Sequence, residues 1–161
     1  MDQFEAVTEQ IQSNDANIRK SAQDMLKTYK TPQQVQFLRQ VLESSVKPNA
    51  QFYATDSLRD LIQSDHWQWI EYFITFVDGR LLAHHVRSCI LALISELAKA
   101  SFPNNIASVI QSLAAGNESQ QKLCASLSSA LVVEFSNSSS RVVMPTAAYI
   151  ALRQEFQVVL Y

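Results

Sequence analysis

Glycine is nearly missing from this sequence: there are two in 161 residues, alongside four prolines and two cysteines. So little glycine leaves few sites for the left-handed turns of hairpins, and no long apolar–polar alternation is present. Together these absences argue against a β-rich fold. Two cysteines cannot build a disulfide framework. Cys89 and Cys124 both fall in apolar helix patterns, where buried free thiols are expected, and this fits a reducing compartment. No apolar run approaches the roughly 20 residues of a membrane span. The longest, within Cys89–Leu97, is broken by Ser95 and Glu96. Met1–Ser13 has an acid in second position and no apolar segment, so no secretory signal is expected. Neither sign of charge dominates, with 13 basic and 15 acidic side chains and basic residues grouped at most in pairs such as Arg19–Lys20. Nucleic acid and acidic membrane surfaces are therefore not expected as partners.

What is present is helical periodicity, in a chain that is 47% hydrophobic. Phe4, Val7 and Ile11 make one stripe over residues 2–12. After the turn Ser13–Asn14–Asp15, a helix to about Thr28 would face inward through Ile18, Ala22, Met25, Leu26 and Tyr29. Thr31–Pro32 reads as a helix start, proline costing nothing in a first turn, and Val35, Leu38, Val41 and Leu42 follow. Pro48 ends that unit. The next helix carries Phe52, Ala54 or Thr55, Leu58, Leu61 and Ile62, then a cap at Ser64–Asp65. An aromatic helix bears Trp67, Trp69, Ile70, Phe73, Ile74 and Val77, with Gly79 as its left-handed stop. A long helix from about Leu81 to Lys99 packs through Leu82, Val86, Cys89, Ile90, Leu93, Ile94 and Leu97. Pro103 is expected to start a helix with Ile106, Val109, Ile110 and Leu113, closed by Gly116. Its partner is marked by Leu123, Leu127, Ala130, Leu131 and Phe135, and Ser136–Ser140 is read as a loop. Pro145 would open a last helix through Ile150, Leu152 and Phe156.

The second helices begin near Ile18, Ala50 and Leu82, a return every 30–40 residues or so, which is the period of two-helix solenoid repeats. Such a unit cannot bury its apolar face alone and must stack on copies of itself. The expected fold is all-α: an α–α superhelix, or solenoid, of stacked antiparallel helix pairs of the HEAT or armadillo kind. Approximate repeats are 1–30, 31–65, 66–101 and 102–136, with a fifth starting at 141–161. Val158, Val159, Leu160 and Tyr161 form no polar end cap, so residues 1–161 are expected to be the front segment of a longer chain.

Several residues set these repeats in order. Ala22, Leu26, the loop Lys30–Pro32, Phe37–Leu38, Val41–Leu42, Ser44–Ser45, Ala54, Leu58, Ile62 and Trp67 resemble the amino-terminal signature of the importin-beta/exportin family of nuclear transport receptors. Arg87, Ile90 to Ile94, Leu97–Ala98–Lys99, Phe102–Pro103 and Val109–Ile110 resemble the following repeat, with phenylalanine where tryptophan is commoner. The resemblance spans roughly residues 15–115. Importins usually carry arginine shortly before the alanine of the second pair. Gln51–Phe52–Tyr53–Ala54 looks more like the exportin side.

This resemblance implies a carrier shuttling between nucleus and cytoplasm, without catalysis or cofactor, whose inner helices bind the GTP form of Ran while the scaffold holds protein cargo. Ran and cargo then share a coupling free energy. The inner helices would be Ala16–Thr28, Asn49–Ser64 and Leu81–Ser101. With Phe52, Leu58 and Ile62 inward, Thr55, Asp56, Arg59, Asp60 and Gln63 would face away. Asp56, Arg59, Asp60 and Gln63, with Asp24 and Lys27, are the candidate Ran contacts; position by position, an ordinary solvated helix face is the commoner origin of such residues. The resemblance also implies apolar slots between outer helices for phenylalanine-glycine nucleoporins, with Phe37, Trp69, Tyr72 and Phe73 as candidates, although aromatics at helical spacing are commonly core. A Ran-independent helical scaffold or adaptor is the alternative. His84, His85 and Cys89 offer too few ligands for a metal site, and Cys89 lies among Val86, Ile90 and Leu93, unlike an activated thiolate. Gly79 and Gly116 cannot form a phosphate loop. No enzyme is expected.

Overall fold

The turn at residues 13–15 does more than interrupt a helix. Asp15 accepts the backbone N–H groups of Asn17 at 2.7 Å and Ile18 at 3.4 Å, satisfying two of the free donors at the start of the second helix. In the computed structural model, which describes residues 1–137, 140–143, 147, 148, 150, 151 and 154, this capped break separates α1 (Asp2–Gln10) from α2 (Ala16–Thr28). A single 3-10 turn at Pro32–Gln34 leads into α3 (Val35–Ser44), and Pro48 occupies the first turn of α4 (Pro48–Leu61). Then follow α5 (His66–Val77), α6 (His84–Ala100), α7 (Ile106–Ala114) and α8 (Glu118–Ser136). The protein is all-α, with no strand among the described residues. The helix expected from Pro145 lies largely outside those residues, Leu152 and Phe156 included.

The chain forms two units. The first is Met1–Ser64 with Leu82–Cys89, and the second is Asp65–Leu81 with Ile90–Tyr161. Within the first, α1 packs on α2, α3 on α4, and α1 also on α4, so helix hairpins lie against each other. Its core is Phe4, Val7, Ala22, Leu26, Leu38, Val41, Leu42, Ala50, Ala54, Leu58 and Val86, all buried. Each fully buried leucine adds about 1.5–3 kcal/mol over an exposed one, so this stripe outweighs any surface pair. An aromatic knot closes one end: Phe4 stands edge-on to Tyr29 at 4.9 Å and to Phe37 at 5.8 Å, while Tyr29 and Phe37 stack at 5.6 Å.

In the second unit α7 packs on α8. Ile70, Phe73, Phe76 and Val77 of α5 are buried, as are Leu93, Ile94, Leu97 and Ala98 of α6 and Ile106, Ile110, Leu123, Leu127 and Leu131 of the last hairpin. Gly79 lies at φ +71, the left-handed stop expected after α5. The α8 start is a reciprocal capping box in which Asn117 accepts the Gln120 N–H and the Gln120 amide oxygen accepts that of Asn117. A Cβ at Gly116 would collide with that folded-back Gln120 side chain.

Several sequence expectations need correction. Ile18 and Met25 are exposed (43% and 38%), because only Ala22 and Leu26 of α2 are buried. Eighteen and 25 lie together on one flank of that stripe at 100° per residue. The long helix begins at His84, not Leu81, whose side chain is fully exposed. α7 begins at Ile106, not at Pro103. Asn104 holds the intervening turn by donating to Ala98 O at 2.7 Å and Ser101 Oγ at 3.1 Å while accepting from Ile106 N at 3.1 Å. Asp65 occupies the α5 cap position at φ 54 but forms no capping bond with its side chain. Phe135 is only half-buried, whereas Leu123, Leu127 and Leu131 form the buried line of α8.

Candidate functional site

Half of α4 faces the core, and half carries charge. Ala50, Ala54, Thr55, Ser57 and Leu58 are buried, which leaves Phe52, Tyr53, Asp56, Arg59 and Asp60 toward the opposite side. Thr55, grouped from sequence with that polar side, is instead fully buried and donates to Gln51 O at 2.9 Å. A threonine hydroxyl can return to the carbonyl one turn back, so it enters a core without an orphaned donor. Gln63 also departs from expectation: α4 ends at Leu61, Ile62 is an extended cap, and Gln63 is exposed beyond the helix.

Asp56 and Asp60 are drawn together by a residue that the sequence reading placed only in a loop. Lys30 Nζ donates to Asp60 at 2.7 Å and to Asp56 at 2.9 Å. The three side chains are 31%, 38% and 35% exposed, respectively. Burial strips the ammonium of some hydration, which acts to lower its pKa. Hydrogen bonds and charges from the two carboxylates outweigh that and raise it above the ordinary lysine value. Arg59 pairs with Asp56 at 3.7 Å and donates to Cys89 O at 3.5 Å, tying α4 to the first turns of α6. Beside it, Phe52 meets Tyr53 at 5.3 Å and His85 at 5.8 Å. Partial burial, then the charge of Asp56, pushes the Tyr53 phenol upward.

Of the six expected contacts, Asp56, Arg59 and Asp60 thus share one network. Asp24 and Lys27 form their own i,i+3 pair at 2.8 Å on open surface, and the Lys27 hydrogen bond and charge hold the Asp24 carboxyl below its ordinary pKa. Lys30 was missed because its partners lie 26 and 30 positions away. The one signal available was a lysine at a helix-pair connector, opposite a helix with acids at i and i+4. The departure Gln51–Phe52–Tyr53 also has a local structural task. Gln51 Nε2 donates to Leu42 O at 3.4 Å and Ser45 O at 2.9 Å, closing the end of α3.

The aromatic candidates separate similarly. Phe73 is fully buried and lines no open slot, whereas Phe37 is half-buried within the aromatic knot. Trp69 and Tyr72 are half-buried and meet edge-on at 5.6 Å. An open groove of about 440 Å³ lies elsewhere in the second unit, lined by Ile74 of α5, Ser108, Val109, Ser112 and Leu113 of α7, with Asn105 and Gln120. Its walls offer hydroxyls, amides and apolar carbons but no charge.

Among the described residues, no group of three His, Cys, Asp or Glu is gathered as for a metal ion, and no helix is long and apolar enough to cross a membrane. No family model, curated protein or solved structure matches this chain. The fold and site define it as an all-α protein of packed helix pairs whose α4 face joins Asp56, Arg59 and Asp60 with Lys30 in one charged network.

Proposed function

We propose that the chain is an amino-terminal HEAT-repeat segment of an exportin-like nuclear transport receptor, stacked as a solenoid. It binds the GTP form of Ran through the charged side of α2 and α4, carries protein cargo and shuttles between nucleus and cytoplasm. The observation that supports this reading best is the fate of the signature residues. Ala22, Leu26, Leu38, Val41, Leu42, Ala54 and Leu58 are all buried between paired helices. A carrier of this type uses coupled binding and no covalent chemistry. The groove between α5 and α7, successive outer helices in this reading, is the place for a phenylalanine side chain of a nucleoporin repeat, with Ile74, Val109 and Leu113 as its apolar lining.

Capture of the full chain by Ran loaded with GTP or with GDP tests the proposal. Retention by the GTP form alone is expected. Equal or absent retention in both forms removes the transport reading. The second reading, a Ran-independent scaffold or adaptor, draws on the solvent-facing Asp24–Lys27 pair and the structural task of Gln51, since neither requires a partner.

A further inference from the structure

Lys30 is delivered to its carboxylates from a connector that is fixed on both sides. On the amino-terminal side Tyr29 is locked in the aromatic knot, 4.9 Å from Phe4 and 5.6 Å from Phe37. On the carboxy-terminal side Pro32 opens the 3-10 turn, where its ring holds φ, and the Gln34 N–H closes that turn on Thr31 O at 2.9 Å. The backbone of Lys30 donates to Lys27 O at 3.1 Å. The cation is thus supplied by a preset backbone, while Asp56 and Asp60 sit one turn apart on a helix face, both within reach of that one ammonium.

We propose that Lys30 is a positioning residue for partner recognition: from the α2–α3 connector it fixes the rotamers and balances the charge of Asp56 and Asp60, so that α4 presents an oriented carboxylate pair. This inference rests on the Ran reading and deepens it, since it names the residue that tunes the proposed contact face. Four charges set the balance: Lys30 and Arg59 against Asp56 and Asp60. Removing Lys30 takes that sum from zero to −1 and takes the shared ammonium away from both carboxylates. Two changes follow for a partner docking on this face. The preorganised geometry is lost, which accelerates dissociation. The local field becomes more negative, which changes the salt dependence of association.

The test measures association and dissociation of the full chain with Ran carrying a non-hydrolysable GTP analogue, at low and physiological salt, for wild type, Lys30→Arg and Lys30→Gln. For Lys30→Gln the expectation is about tenfold faster dissociation and an altered salt slope of the association rate, a size typical of coupled charged neighbours. Lys30→Arg should stay within about twofold of wild type, because the cation is retained. A merely structural lysine would weaken binding equally at both salt concentrations and leave the slope alone, and that result overturns the proposal. Thermal melts of each variant identify any that fails to fold. Should Lys30→Gln unfold, Asp60→Asn takes its place with a change of slope of the opposite sign, because it removes a negative charge from the same network, and an unchanged slope there overturns the proposal equally. Wild-type binding to GTP-loaded Ran that Lys30→Gln leaves unaltered sinks this inference alone. Absence of GTP-dependent binding by the wild type sinks the Ran reading and this inference with it.

Discussion

Lys30 and Lys99 both reach carboxylates far away in sequence, and their surroundings differ. Lys30 meets Asp56 and Asp60 where all three side chains are about one-third exposed. Lys99, in the last turn of α6, has a side chain only 5% exposed and meets Glu134 of α8, which is 14% exposed, at 3.4 Å. Lys99 also donates to Glu134 O at 3.0 Å and Asn137 O at 3.4 Å, satisfying carbonyls at the end of α8, and Ser140 donates to the Glu134 carboxylate. The buried ammonium exchanges water for three protein acceptors. It is a structural fastener that ends one helix from another. The half-exposed Lys30 network costs little to desolvate and contributes little to stability, yet water and partners can reach it. The same ion-pair chemistry fastens two helices where it is buried and stays open to solvent where it is one-third exposed.

The contrast can be broken most directly at Lys99. Lys99→Met should cost about 3 kcal/mol in urea unfolding, because Glu134 and two carbonyls lose their donor in a low-dielectric site. A cost below about 1 kcal/mol would mean that the fastener reading fails. Pairing it with Glu134→Leu should recover part of that loss, since an apolar pair removes the stranded carboxylate. Next in size is the capping box: Asn117→Ala should cost about 1 kcal/mol, read as a lowered midpoint in the same unfolding experiment.

Lys30→Met should cost only about 0.5 kcal/mol at neutral pH and less in high salt, as screened pairs do. Its pH dependence has a definite sign. Lys30 titrates higher folded than unfolded, so its contribution is complete below the ordinary lysine value of 10.5 and fades as pH rises through the folded value. The stability difference between wild type and Lys30→Met should therefore be constant through neutral pH and shrink in alkaline solution. A difference that instead vanished on acidification below pH 10.5 would contradict the assignment to Lys30. Smallest of all is Lys27→Ala. Its partner Asp24 is fully solvated, and no change in melting midpoint is expected by calorimetry.

Much of the fold was legible because helix burial repeats at short range. Leu38, Val41 and Leu42 share a face within two turns, as do Leu123, Leu127 and Leu131, and all six are buried as the 3.6-residue period requires. The width of a stripe is not written the same way. Ile18 and Met25 satisfy the period of α2 yet remain exposed, because a partner helix covers a limited arc and that arc centres on Ala22 and Leu26. Thr55 misled in the opposite direction: its hydroxyl looks polar in sequence but bonds to Gln51 O within its own helix. For the candidate site, Asp56, Arg59 and Asp60 were legible as one helix face, while Gln63 lies off that face because the helix stops two residues earlier.

By itself, the sequence determined the all-α class, most helix positions, the left-handed stop at Gly79 and the leucine lines of the core, since each depends on neighbours within about four residues. Only the tertiary structure decided that Lys30 would gather Asp56 and Asp60, that Lys99 would be buried to end α8, and that Gln51 would close α3. Those are contacts across helices and connectors. Their energies depend on distance and local dielectric, quantities that exist only once the chain has packed.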